Sequence, residues 1–448
     1  MSEAETHAGA GRGSARAWTV WLAALVAYAV AVLHRTSFGV SGIEAADRFG
    51  VSATVLSTFV MVQLTVYATM QIPSGMLLDR FGSRAMIAGG AVLMAAGQGL
   101  LSVTHAIGGA YLARILIGAG DAATFIAVVR LVAMWFPARR VPLLTQLSGV
   151  TGQAGQVASA LPLVAVLHAR GWTTAFGGLA AIGLLAAALA FLAVRDSPSG
   201  HERPERSGGV LAPVRAAAKE PGTWLGFWSH ALSQFPLNLF LLAWGYPFLL
   251  AEGLSSEAAG GVMTVAVVAS VVSGPVIGEL TARHPLRRSW IVLGTATTVA
   301  AVWLAVLVQA GPAPTWMLVL LAAVLGVGGP SSLVGFDFAR SFNDPARLGT
   351  ATGLVNGGGF AFAVVAILAA GVALDTHPGP ELSLGAFRVA FAIQGVLWLV
   401  AAAGLLVARR RTRRLMASRG VVVPPVREVL ARRRDGRATE VFSRSRRG

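Results

Sequence analysis

The chain has 448 residues, of which 55% are hydrophobic and only 12% charged, and its mean hydropathy is +0.67. A soluble protein carries about 25% charged residues, so most of this chain is shielded from water, which excludes a soluble enzyme, a nucleic-acid-binding domain and a secreted disulfide scaffold. The formal charge of +16 is local: residues 409–448 hold 14 Arg against Glu428, Asp435 and Glu440, a net +11.

Residues 1–16 are polar and small, and they read as a cytoplasmic tail without a cleavable signal. Apolar stretches long enough to cross a hydrocarbon core of about 30 Å then recur. The first runs from Trp18 to about Gly42. The others fall near 53–78, 85–104, 110–134, 141–167, 172–194, 223–250, 258–281, 289–310, 315–339, 350–374 and 386–408, which predicts twelve spans. The strand alternation of a membrane β-barrel is missing. Cysteine is missing too, which removes disulfides, thiolate metal sites and thiol nucleophiles.

Pro, Gly, Ser and mixed charge mark a linker between spans six and seven. It divides the chain into a six-helix bundle at 17–195, a linker at 196–222, a second bundle at 223–408 and a basic tail at 409–448. One set of connections holds Arg80, Arg84, Arg139, Arg140, Arg283, Arg287, Arg288, Arg340 and Arg347. The opposite set holds mainly Glu44, Asp47, Arg48, Arg170, Glu252, Glu257, Asp375 and Glu381. Positive charge collects on the cytoplasmic side, so both termini are expected there, in a multi-pass protein of the inner (plasma) membrane.

The two halves echo each other. Pro137-Ala138-Arg139 recurs as Pro345-Ala346-Arg347, Gly118-x-Gly120 as Gly326-x-Gly328, and Gly149 as Gly357, all at one offset of 208. Duplication of six helices predicts an all-α membrane protein of two pseudo-symmetric bundles, with a site between them.

Between spans two and three the chain reads Gly75-Met-Leu-Leu-Asp79-Arg80-Phe-Gly82-Ser-Arg84. Gly75 permits close helix approach, Asp79 can bond a neighbouring helix N-terminus and an Arg, and Gly82 allows a tight turn. The run resembles the loop signature of the major facilitator superfamily, with Ser83 in place of one basic residue. Its second copy, Gly278-Glu-Leu-Thr-Ala282-Arg283, lacks the aspartate. Arg114-Ile-Leu-Ile-Gly118-Ala-Gly120-Asp121 is similar to the superfamily's span-four element. With the Arg in span one, it looks most like the anion/cation symporter and nitrate or sugar-phosphate permease branches. The resemblance implies the major facilitator fold, alternating access, and Gly75, Asp79, Arg80, Gly82 and Arg84 as a cytoplasmic gate. The helix-five signature of drug–proton antiporters is not matched at 149–156.

Ionisable groups within a span are costly and mark function by default. His34 and Arg35 fall around the middle of span one where that helix extends toward Asp47, and Arg35 has no acidic neighbour within one turn. Such a guanidinium suits a bidentate anion, and the resembling symporters place an Arg there for their substrate; snorkelling to the surface is the structural alternative. Asp121 and Arg114 are expected on one face of span four, either as a proton-coupling pair or as a structural one. His230, Gln234 and Asn238 form one polar stripe on span seven, expected to line the cavity. Asn356 lies in a glycine-rich stretch of span eleven.

These residues predict a monomeric secondary transporter taking up a small organic or inorganic anion with protons. Arg35, His34, His230, Gln234, Asn238 and Asn356 would form the substrate site, with Asp121 and Arg114 coupling the proton. No cofactor, metal or nucleic acid is expected, and the absence of a P-loop argues against ATP. Anionic lipid beside the basic tail is a further expected partner. Efflux of amphipathic compounds, or a membrane enzyme or receptor on the same fold, are the alternatives.

Overall fold

The computed structural model describes residues 14–198, 211–378, 382–423 and 428. Among them are ten long apolar segments, two of which fold back at a glycine, giving twelve spans. Span one is Ala15–Val40. Spans two and three, 53–81 and 83–103, are joined at Gly82, whose φ of 82° suits only a residue without Cβ. Span four is Ile107–Trp135. Spans five and six, 141–170 and 172–193, part at Gly171, φ 77°. Span seven is Pro221–Ala251 and span eight Ser256–Arg283. Spans nine to twelve are Arg288–Leu307, Thr315–Phe342, Leu348–Asp375 and Leu384–Ser418.

The sequence sets several boundaries directly. Ser14, Ser52, Ser255 and Ser383 each accept a backbone N–H of the helix they open, satisfying a donor with no intrahelical partner. Pro162 and Pro236 interrupt the regular ladder, and a π-turn lies at or just beyond each, at Ser159–Leu163 and Phe240–Trp244. Span twelve runs to Ser418, so Arg409 to Arg414 stand on the helix itself, past the boundary expected at 408. The amphipathic stretch expected at 426–434 lies outside the described residues, Glu428 excepted.

Large apolar residues such as Leu22, Leu185, Val272, Leu304 and Leu399 face outward, where hydrocarbon is the solvent. Inside, small residues let backbones meet. A Cβ on Gly118 of span four would strike the Gln63 carbonyl of span two, and one on Gly326 of span ten would strike the Ala266 carbonyl of span eight. These equivalent contacts, on glycines at the repeat offset, are the pseudo-two-fold relation in atomic terms.

Candidate functional site

Arg35 projects from span one into the bundle and meets Asp121 of span four. Nε to Oδ2 is 2.5 Å and Nη2 to Oδ1 2.8 Å, a bidentate pair. Asp121 is buried, whereas the Arg35 side chain keeps 21% of its surface. The guanidinium also stands over the Tyr67 ring of span two, 5.1 Å from its centroid. The sequence expectation of an isolated Arg35 is therefore corrected: its partner comes from another helix, 86 positions away.

The expected Arg114–Asp121 pair is corrected as well. Seven residues of helix separate them by about 10 Å along the axis, and both Asp121 oxygens turn to Arg35. Arg114 donates weakly to the Arg35 carbonyl at 3.4 Å and lies over the Phe38 ring at 4.9 Å. Its Nε and Nη1 have no hydrogen-bond partner, although it is only 1% exposed. Spans one and four thus bring two guanidinium groups and one carboxylate into the same part of the bundle, a formal excess of one positive charge.

His34 turns the other way. Its Nε2 donates to the Leu179 carbonyl of span six at 3.0 Å, and its ring packs on Gly183. Successive helical residues point about 100° apart, so His34 cannot share the direction of Arg35. This corrects its placement in the substrate group.

The polar stripe of span seven faces inward. His230 Nδ1 donates to the Ser332 carbonyl at 3.1 Å. Gln234 donates to Asn238 at 2.9 Å and accepts from Ser332 Oγ at 2.7 Å. A Cβ on Gly359 of span eleven would meet both His230 and Gln234. One turn away, Asn356 Nδ2 crosses to the first half, donating to Gln71 Oε1 at 2.7 Å and Tyr67 Oη at 3.2 Å. Phe360 closes on the same Tyr67 ring at 4.4 Å. Sequence reasoning missed Tyr67 and Gln71. The signal was there: Gln63, Tyr67 and Gln71 form an i, i+4, i+8 polar stripe on span two, the spacing that singled out span seven.

Below this centre the halves are closed together at the end that carries the Gly82 turn. Asp79 accepts from Gly349 N at 2.7 Å, Thr350 N at 2.8 Å and Thr350 Oγ1 at 2.6 Å. It caps the N-terminus of span eleven, where a carboxylate meets the positive end of the helix. Gly75 and Gly353 admit the close crossing, since a Cβ on either would strike the opposite backbone. Across the pseudo-two-fold, Gly278 of span eight packs on the Leu143 backbone of span five, and Gln146 donates to the Pro330 carbonyl at 2.8 Å. Arg80 and Arg84 lie over Phe81 and Phe191, at 5.3 and 4.1 Å. Arg130 donates to the Leu78 carbonyl beside Asp79. Asp196 accepts the Arg84 N–H at 2.9 Å and seats the Gly82 turn.

The model of the Major Facilitator Superfamily matches residues 21–251 and again 227–438. A protein of Agrobacterium vitis named "Putative tartrate transporter" is 23% identical over 68% of this chain and 72% of its own length. The "Probable L-galactonate transporter" of Escherichia coli (strain K12) is 26% identical over 38% of this chain and 37% of its own. Among solved structures, the human organic anion transporter MFSD10 (TETRAN) aligns over 87% of this chain and 99% of its own, with a TM-score of 0.65 and 13% identity, a likeness of fold.

Proposed function

The chain belongs to the Major Facilitator Superfamily, and from that premise we propose that it takes up a small anion together with protons by alternating access. The observation that carries this reading is the Arg35–Asp121 pair, bidentate and partly open, which joins spans one and four beside a buried Arg114. The names carried by two relatives, "Putative tartrate transporter" and "Probable L-galactonate transporter", both refer to anions, which agrees with a cationic site.

The chemistry follows from competition for one fork. An ionised Asp121 occupies both donor sites of Arg35 that a substrate carboxylate needs. A proton on Asp121 removes its charge and frees the guanidinium. Proton and anion therefore favour each other's binding, which is the thermodynamic requirement of symport. Arg114 adds positive charge behind the site. His230, Gln234, Asn238 and Asn356 form the wall on the second half. Asp79 holds the Gly82 end closed while the site is reached from the opposite end. Gly75 and Gly82 shape that closure, and Arg80 and Arg84 keep it on the cytoplasmic side, where both termini lie. The transporter works as a monomer in the inner (plasma) membrane, its basic tail beside anionic lipid.

Uptake of radiolabelled anion into proteoliposomes, with and without an imposed pH gradient, tests this. A gradient acid outside is expected to drive accumulation and a protonophore to abolish it. Indifference to both removes symport. A thermal-shift screen with nitrate, carboxylates, sugar phosphates and cationic drugs tests the anion: stabilisation by cationic drugs alone replaces it with efflux.

A further inference from the structure

Span twelve changes character within one turn. Leu406 and Val407 are exposed on its outer side, and Arg409, Arg410, Arg411, Arg413 and Arg414 follow on the same helix. At 1.5 Å per residue, Arg409 stands about 3 Å beyond Val407 and Arg413 about 9 Å, the step from hydrocarbon to headgroups. Arg410, Arg411 and Arg414 are exposed, as suits cations that set topology alone. Arg409 and Arg413, one turn apart, are instead half-buried on the side toward the start of span nine. Arg409 Nε donates to Ser289 Oγ at 3.0 Å, and its guanidinium lies over the half-exposed Trp290 ring at 4.7 Å. Arg413 is within electrostatic reach of both Arg409 and Arg287. Residues 280–336 and 382–427 contain no Asp or Glu, and among the described residues neither Arg409 nor Arg413 has an acidic partner.

We infer that Arg409 and Arg413, with Ser289 and Trp290, form a site for the phosphate of one anionic phospholipid on the outer face of the second bundle, between spans nine and twelve. Like charges one turn apart repel, and drawing them partly out of water strengthens the repulsion. An anion between them turns it into attraction. A phosphodiester offers oxygens to both guanidinium forks at once. What lies beside the charges makes the occupant a lipid and not a soluble anion. Trp290 places an indole at the boundary where amphipathic rings anchor, and the exposed Leu406 and Val407 continue from the charges along the path of acyl chains. The site rests on the placing of the basic tail beside anionic lipid and is narrower than it: two helices fix one lipid here, whereas the tail beyond would gather a diffuse layer. It is built from residues other than Arg35 and Asp121, so it stands whether or not the transported substrate is an anion.

Native mass spectrometry of the purified full-length chain, titrated with phosphatidylglycerol or phosphatidylcholine, counts the lipids it retains. One phosphatidylglycerol should be held at least ~tenfold more tightly than phosphatidylcholine. Arg409→Gln/Arg413→Gln should weaken it by roughly ten- to a hundredfold. Arg413→Gln alone, which removes no hydrogen bond among the described residues, should act in the same direction and decides the matter if the double variant does not fold. Arg410→Gln/Arg414→Gln takes the same charge from the exposed side and should change little. So should Arg427→Gln/Arg432→Gln/Arg433→Gln/Arg434→Gln, which neutralises part of the tail. Equal retention of the two lipids, or an equal loss in the exposed-side variant, overturns the site. A loss confined to the tail variant also overturns it while leaving the tail beside anionic lipid. Inorganic phosphate that displaces the lipid at equal concentration overturns the lipid as occupant.

Discussion

Tyr67 accepts a hydrogen bond from Asn356 across the interface between the halves, at 3.2 Å, and its ring carries the Arg35 guanidinium at 5.1 Å. One side chain thus touches both the cation of the site and the seam that closes one end of the protein. Down that seam run Gln71 against Gly353 and Asp79 on Gly349 and Thr350. On the proposed anion reading, a substrate that draws Arg35 away from Tyr67 would act on the uppermost contact of this seam.

Weakening the seam should open the Gly82 end. The chain has no cysteine, so one introduced thiol reports unambiguously. Thr145, 3% exposed, lines a small cavity with Val129, Asp337 and Leu348 at this end. In a Thr145→Cys background, Asp79→Asn removes charge from three hydrogen bonds and should cost roughly 1.5–3 kcal/mol of closure. Labelling by a water-soluble maleimide should accelerate by about ten- to a hundredfold, and Asn356→Ala should act in the same direction with a smaller effect. Unchanged labelling in both would show that this seam does not control access.

The spans and their duplication were legible in the sequence because hydrocarbon imposes a simple rule on length and polarity. Twelve apolar runs, the Gly82 turn and the glycines at the repeat offset all appear in the structure as positional facts. The partners of the charges were not legible. Arg35 finds Asp121 on another helix, and a one-dimensional search within one turn could not reach it. His34 and Arg35 are neighbours in sequence, yet the helix sends them to opposite tasks. Asp79 was readable as a cap, but the helix it caps lies 270 positions away.

Glu252 offers a pH-dependent stability test outside the spans. Its Oε2 accepts the Ala313 N–H at 2.6 Å while Oε1 is buried without a partner. Burial pushes its carboxyl above the usual range, against the opposing influence of the Ala313 N–H and Arg388. A carboxyl raised in the folded state stabilises most below its unfolded value and loses that contribution as pH rises through the folded value. Glu252→Gln, which does not titrate, should therefore gain melting temperature relative to wild type as pH rises from acid to neutral. Parallel melting curves across that range would rule out the buried carboxyl as the cause.

Asp121→Asn should separate the anion from the proton. Under the proposed coupling, a proton on Asp121 frees Arg35, so wild-type anion affinity should rise as pH falls. The asparagine mimics the protonated state at every pH. Its anion affinity should be high and flat with pH, and accumulation driven by a pH gradient should vanish while counterflow exchange persists. Isothermal titration at several pH values measures the first, and exchange in proteoliposomes the second. A variant that keeps the wild-type pH dependence would place the coupling proton elsewhere.

Arg35 has two roles that single substitutions confuse, since it neutralises Asp121 and is proposed to bind the anion. Arg35→Gln leaves a buried carboxylate whose remaining cation, Arg114, gives it no hydrogen bond, and breaking a buried pair in this way costs about 3–5 kcal/mol. Loss of binding in that variant alone could reflect damage to the bundle. The double variant Arg35→Gln/Asp121→Asn removes both charges and leaves groups of matching size and hydrogen-bonding type. Its melting temperature should return toward wild type, because no unpaired carboxylate remains. Its anion binding should not return, because the fork that holds the substrate is gone. Arg35→Lys should keep the charge but lose the bidentate geometry, with affinity reduced by roughly ten- to a hundredfold, the equivalent of one charge-assisted hydrogen bond at about 1.5–3 kcal/mol. Recovery of both stability and binding in the double variant would assign Arg35 a purely structural role and reject the anion site built on it.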